Sequence, residues 1–262
     1  MPFTIAHSVT ARPLRRLSGG RLLLPALAVG AMAPDFEYLV HLSPTRTIGH
    51  TIPGLFVLCL PTGLAVLWLW HRLVAPALAP LLRPLTGGLT NGWVDPAPFW
   101  PPARLALICI SIVIGSFSHI TWDAFTHEGG VVVNLWSGFS HKVGPGPLPV
   151  YKWLQFGSSV FGMTLLGVWA HRAAQRPGGF RDSPPELSRA RRTVAGAMLG
   201  GLLLIGTIGA VQGANHGDAY DVVKGGAIGA LSGSALSLLV TCATFARRWG
   251  YKPTTSARFR DC

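Results

Sequence analysis

Apolar residues in this chain fall into long blocks, without the polar face that a helix buried in a soluble protein usually keeps. Five blocks, 53–71, 104–122, 155–171, 193–213 and 225–246, are long enough to cross about 30 Å of hydrocarbon as helices of roughly 20 residues. The first ends in Trp68 and Trp70 and the third in Trp169, which suits the aromatic belt of a bilayer interface. Pro61 predicts a kink in the first block. The last two blocks are rich in glycine, alanine and serine, so their backbones are expected to approach closely as a packed pair. The pattern predicts an all-α, polytopic membrane helical bundle. It would form a single integral membrane domain over 1–262, with chemistry in 1–171 and a helical hairpin over 193–246.

One segment resists this scheme. Residues 12–34 pass from Arg12, Arg15, Arg16 and Arg21 through a 13-residue apolar run to Asp35, and Ala31-Met32-Ala33 reads as a signal-peptidase site. Thirteen residues rise only about 20 Å as a helix. A re-entrant or interfacial half-helix over 22–34 is the favoured expectation, with a crossing or cleaved segment as the alternative.

Composition agrees with a membrane protein. Of 262 residues, 49% are apolar and only 12% are charged, about half the charge of an average soluble domain. Mean hydropathy is +0.41. The net charge of +12 does not indicate a nucleic-acid partner, because the bases do not cluster with aromatic binding motifs. They read as an orientation signal, since Lys and Arg flanking membrane spans stay cytoplasmic. Arg72, Arg83 and Arg104, the six arginines between 172 and 192, and the five bases after 246 all fall on one side of a five-span topology. That side is expected to be cytoplasmic and to include the C-terminus, in a bacterial inner membrane. Asp35, Glu37, Asp123, Glu128, Asp218 and Asp221 fall on the other side with six of the nine histidines. Arg12, Arg15, Arg16 and Arg21 would then lie on the outer side, against the charge rule.

Ionisable groups at membrane depth are costly and usually functional. His119, Asp123 and His127 recur at intervals of four, on one face of a helix. Asp35 and Glu37 follow Pro34 at the end of the short apolar run, offering oxygen ligands or an acid/base pair. His7 and His50 can reach the same mouth. Mixed imidazole and carboxylate ligands suit zinc, with manganese or iron as alternatives, better than calcium or magnesium. No HExxH zinc motif is present, nor a phosphate-binding P-loop, a dinucleotide fingerprint or a nucleophile elbow. The four cysteines form no CxxC pair.

The opening MPFTIAHSVTARPLRR, then VGAMAPDFEY, HTIPGLFVLCLPTGL and SHITWDAFTHEGG resemble the bacterial membrane family DUF4184 over most of the first 170 residues. More distantly, their order is similar to inner-membrane metal-dependent hydrolases and zinc-dependent phospholipase C-like proteins. That resemblance implies a metal site made by His7, Asp35, His50, His119 and Asp123. It leaves Glu37 and His127 without a matched role.

The expectation is a membrane-embedded metal-dependent hydrolase acting on an ester or phosphoester of a lipid-like or amphiphilic substrate in the bilayer. Glu37 is expected as general base or second-metal ligand, with Asp35 and His127 beside it. The alternatives are a metal-dependent cyclase, isomerase or transferase on a prenyl-type lipid, and a metal or proton transporter. Elsewhere, the loop 214–221 reads as a plain helix connection, 140–151 as a proline-stiffened loop, and 75–103, with seven prolines, as irregular.

Overall fold

The computed structural model describes residues 4–41, 47–78, 99, 101–144, 148–174, 185–215 and 219–248. Among the described residues the fold is all-α apart from a ribbon of two-residue strands, β1 (Lys142–Val143) and β2 (Leu148–Pro149), paired antiparallel within the expected proline-stiffened loop. Each expected apolar block is helical: α5 (Ile52–Leu78), α6 (Pro102–Thr126), α8 (Val150–Ala174), α9 (Pro185–Ala214) and α10 (Ala219–Arg248). A short α7 (Val131–Leu135) follows α6.

Four of these regions are long and apolar enough to cross a membrane: Ile52–Leu78, Pro102–Leu135, Arg192–Ala214 and Gly225–Thr244. The fifth expected span, α8, is 25 residues long but carries Lys152, Gln155, Ser158 and Ser159 in its first turns. Outward-facing Phe56, Val57, Val160, Phe161, Leu203, Leu204 and Val211 are each more than half exposed, which suits a lipid-facing belt. The helices are consistent with a multi-pass membrane protein.

The kink expected at Pro61 takes the form of a π-helical turn, Leu55–Cys59, just before it in α5. Proline has no N–H for the carbonyl four residues back, so the ladder widens there. A second π turn covers Trp70–Val74.

The N-terminal segment doubles back on itself. It comprises α1 (Thr4–His7), a 3-10 turn (Ser8–Thr10), α2 (Ala11–Leu17), α3 (Leu24–Gly30), a 3-10 turn (Ala33–Asp35) and α4 (Phe36–His41). The reversal between α2 and α3 uses Gly19 at φ 64° and Gly20 at φ 83°, backbone angles that a side chain disfavours. At seven residues, α3 is about 10 Å long and spans nothing. Thr4 and Asp35 are hydrogen-bonded to each other, so the segment returns to the end of the bundle from which it left. This is the re-entrant form of the two expectations for 22–34.

A buried half-helix exposes unsatisfied backbone groups at both ends, and hydrocarbon offers them no partner. Here α6 supplies the partners. Ser111 Oγ accepts from Leu23 N–H at 3.0 Å at the start of α3. At its end Ser116 Oγ donates to Gly30 O at 2.9 Å, and His119 Nδ1 lies 2.7 Å from Ala31 O. The two backbones touch: a Cβ on Gly30 would collide with Ile112 O, and one on Gly115 with Leu27 O.

The expected packed pair is α9 against α10. Gly225, Gly229, Gly233 and Ser237 recur every fourth residue along α10, and the first three lie against the carbonyls of Gly209, Ile205 and Gly201. This is close packing through small residues, which holds helices together where lipid removes the hydrophobic drive. Gly229→Leu, whose Cβ would run into the Ile205 backbone, is expected to destabilise the detergent-solubilised protein by more than the ~1–3 kcal/mol of ordinary overpacking, a fall of several °C or more in Tm at this size. The hairpin docks on the remainder through Ser232 Oγ, which donates to Leu39 O at 3.2 Å. Residues 216–218 and most of the proline-rich stretch 75–103 lie outside the described residues.

Candidate metal centre

Four elements end at one place. The last two turns of α6 bring His119 and Asp123, the 3-10 turn after α3 brings Asp35, the approach to α5 brings His50, and α1 brings His7. Four side-chain atoms close a ring. Asp35 Oδ1 lies 3.4 Å from His50 Nε2, His50 Nε2 3.5 Å from Asp123 Oδ2, Asp123 Oδ2 3.6 Å from His119 Nε2, and His119 Nε2 3.6 Å from Asp35 Oδ1. These separations are too long for hydrogen bonds. They match the edges of a tetrahedron of nitrogen and oxygen ligands about 2.0–2.2 Å from a central ion, which are about 3.3–3.6 Å.

The tautomer of His119 sharpens this point. Its Nδ1 faces the carbonyl of Ala31, which only accepts, so Nδ1 carries a proton and Nε2 is the ring atom left to face the site. That Nε2 is buried and has no hydrogen-bond partner, and it faces two carboxylates. Two carboxylates converging on an imidazole in a buried space require a positive charge among them, which a ring proton or a cation can supply.

His7 lies at the edge of the ring. Its imidazole stacks on that of His119 with centroids 3.9 Å apart, and its Nε2 is 3.7 Å from Asp123 Oδ1. Burial, reinforced by His119, pushes the pKa of His7 down to about 3, so the ring is neutral at pH 7 with a lone pair free to coordinate. Burial alone would raise Asp35; the neighbouring His119 outweighs it and holds the carboxyl below its usual range. Two overlapping triads, Asp35/His50/His119 and His7/His119/Asp123, could each hold a metal ion, with ligand atoms within 4.8 Å of one another.

Glu37 and His127 sit behind this ring. Glu37 accepts from Thr47 N at 3.0 Å, from Thr47 Oγ1 and from Gly49 N at 3.4 Å, and Oε1 faces His50 Nδ1 at 3.5 Å. With its oxygens so engaged, Glu37 stays at ion-pair distance behind His50, whose Nε2 faces the ring. His127 stands behind Asp123 in the same way. Gln155 Oε1 accepts from Lys152 Nζ at 3.1 Å, which turns the Gln155 amide N–H toward His127 Nε2 at 2.7 Å. The remaining proton of His127 is then on Nδ1, 3.2 Å from Asp123 Oδ1.

The DUF4184 family model, a domain of unknown function, matches residues 1–243. The chain belongs to the DUF4184 family. The match extends well past the first 170 residues, so the α9–α10 hairpin is part of the DUF4184 domain although its sequence is mostly small and apolar residues. No curated protein and no solved structure matches the chain.

All seven residues singled out from the sequence of this DUF4184 protein meet at one place. Others at the site were not singled out. Thr4 Oγ1 donates to Asp35 Oδ2 at 2.7 Å, and its position three residues before His7, on the same helix face, was the available signal. Gln155 was visible only as a lone amide at the edge of an apolar block. The Ala31 carbonyl, as backbone, leaves no mark in sequence.

Proposed function

We propose that this protein is a membrane-embedded metal-dependent hydrolase acting on an ester or phosphoester of a lipid-like or amphiphilic substrate. The observation that carries the reading is the buried His119 Nε2, which has no hydrogen-bond partner and lies 3.6 Å from a carboxylate oxygen of both Asp35 and Asp123. Asp35, His50, His119 and Asp123 would hold the ion, with His7 as a fifth ligand. Two imidazoles and two carboxylates favour zinc over harder cations. A zinc-class ion supplies a water acidified toward neutral pH and neutralises charge developing on a substrate oxygen.

The chain's own groups set the geometry. Thr4 hydrogen-bonds Asp35 and Gln155 hydrogen-bonds His127, while Glu37 and His127 lie at ion-pair distance behind His50 and Asp123, an outer layer of the kind that fixes ligand direction in metal sites. Glu37 is therefore a positioning residue in this reading, with a weaker claim to be the base. The location supports an amphiphilic substrate, because the ligands lie at one end of the long helices, where a headgroup can enter while its tail stays in lipid. The cluster Ala26, Val29, Leu67, Ile108 and Ile112 within the bundle is apolar, which disfavours a transit path for ions. In this reading the site faces outward from a bacterial inner membrane and the C-terminus is cytoplasmic, as the basic loops indicate.

Metal analysis of the purified full chain tests the proposal. About one zinc-class ion per chain is expected in the native protein and none in His119→Ala or Asp123→Ala. Glu37→Gln should keep the ion but weaken its affinity by about 10–100-fold. Equal metal content in the native protein and both alanine variants would overturn it.

A further inference from the structure

The arginine-rich N-terminal turn raises a separate question, one that does not depend on the metal. Arg15, Arg16, Leu17 and Arg21 are exposed, and Leu17 is 85% so. In a protein whose site end is rich in acidic groups, these bases need a place.

Contacts along the N-terminal hairpin give its depth. Leaving the site at His7, the chain passes Ser118 of α6, where Thr10 Oγ1 lies 3.3 Å from Ser118 Oγ. After the turn, Leu23 N–H meets Ser111 Oγ. Along α8 the same descent runs in parallel: Ala6 lies against Gly162, and the Arg12 guanidinium sits 4.3 Å over the Trp169 ring. From Thr126, the site end of α6, to Ser111 is 15 residues, about 22 Å along the helix. From Gln155, beside His127, to Trp169 is 14 residues, about 21 Å. The two rulers place Leu23 and the Arg12 head, on either side of the Gly19–Gly20 turn, about 21–22 Å from the site ends of α6 and α8, against a hydrocarbon layer about 30 Å thick. The remaining distance is within reach of arginine side chains that snorkel to an interface.

We infer that the N-terminal segment is a deep re-entrant hairpin whose turn delivers Arg15, Arg16 and Arg21 to the phosphate layer of the leaflet opposite the metal-site mouth. The bound partner is the anionic headgroup surface of that leaflet. Arg72 toward the end of α5, Arg104 at the start of α6 and Arg172 at the end of α8 all lie toward the ends of their helices away from the site. The arrangement removes the apparent conflict with the charge rule: the chain enters from the site side, yet its basic turn belongs to the other side.

Single-cysteine variants in a background lacking Cys59, Cys109, Cys242 and Cys262 test this. Leu17→Cys and Arg16→Cys mark the turn; Ile48→Cys and Leu135→Cys, at 47% and 81% exposed native positions, mark the site end. A membrane-impermeant maleimide is applied to right-side-out and inside-out vesicles, with unchanged Tm confirming that each variant folds. The two turn positions are expected to react from one side only and the two site-end positions only from the other, irrespective of which side faces the cytoplasm. Reaction of the turn positions from the same side as positions 48 and 135 would overturn the inference. So would failure of both folded turn variants to react from either side, which would leave the turn within hydrocarbon.

Discussion

Asp123→Asn should remove the response of thermal stability to zinc and chelator. An ion that binds only the folded state stabilises it by about 2.7 kcal/mol at 100 times Kd. For a chain of this size that is a rise of several °C in Tm. The native protein in detergent should therefore melt higher in excess zinc and lower in chelator. In Asp123→Asn the amide keeps the shape of the side chain but removes one of two carboxylates facing His119 and His50. Without metal, Asp123 still faces the imidazoles of His50, His119 and His127, contacts that the neutral amide forfeits. The variant should therefore melt somewhat lower than the native protein in chelator, and zinc should leave its Tm unchanged. Melting scans of both proteins, with and without zinc, check the prediction. A variant that follows the native protein in zinc, degree for degree, would show that Asp123 holds no ion.

Much of this arrangement was legible in sequence for simple reasons. Block length revealed the long helices, and the small residues of α9 and α10 revealed their contact. The interval of four placed His119, Asp123 and His127 on one helix face. What could not be read followed from the third dimension. Thirteen apolar residues before Asp35 are compatible with several membrane topologies, and only the Gly19–Gly20 reversal brings His7 and Asp35 together. The polar first turns of α8 place Gln155 behind His127, a role that no periodicity in the block 155–171 marks. Glu37 and His127 were recognisable as chemistry by type, but role depends on orientation. An acid whose oxygens are engaged by Thr47 and Gly49 acts through His50, and a histidine whose proton is set by Gln155 acts through Asp123.

Gly115→Leu should abolish the site without altering any candidate ligand. A Cβ at position 115 would collide with Leu27 O and sit 2.8 Å from Ala31 N and 3.1 Å from Gly30 C. All three atoms are backbone of α3 or the residue just after it, so no side chain can rotate away. Relief requires the half-helix to move off α6. Movement by even an ångström separates the Ala31 carbonyl from His119 Nδ1, freeing the imidazole to change tautomer and turn. It also carries Asp35, four residues further along, out of reach of His50 and His119. Ordinary overpacking costs about 1–3 kcal/mol; contact between two backbones should exceed that, since the hydrogen bonds from Ser116 and His119 are lost with it. The expected result is a much lower Tm together with loss of bound metal in whatever folded protein remains. Gly167→Leu is the matched control, because a Cβ there meets nothing within 4 Å, and it should retain both. Retention of metal and Tm by Gly115→Leu would mean that α3 does not pack against α6 through this contact. The docked half-helix would then have no part in fixing His119.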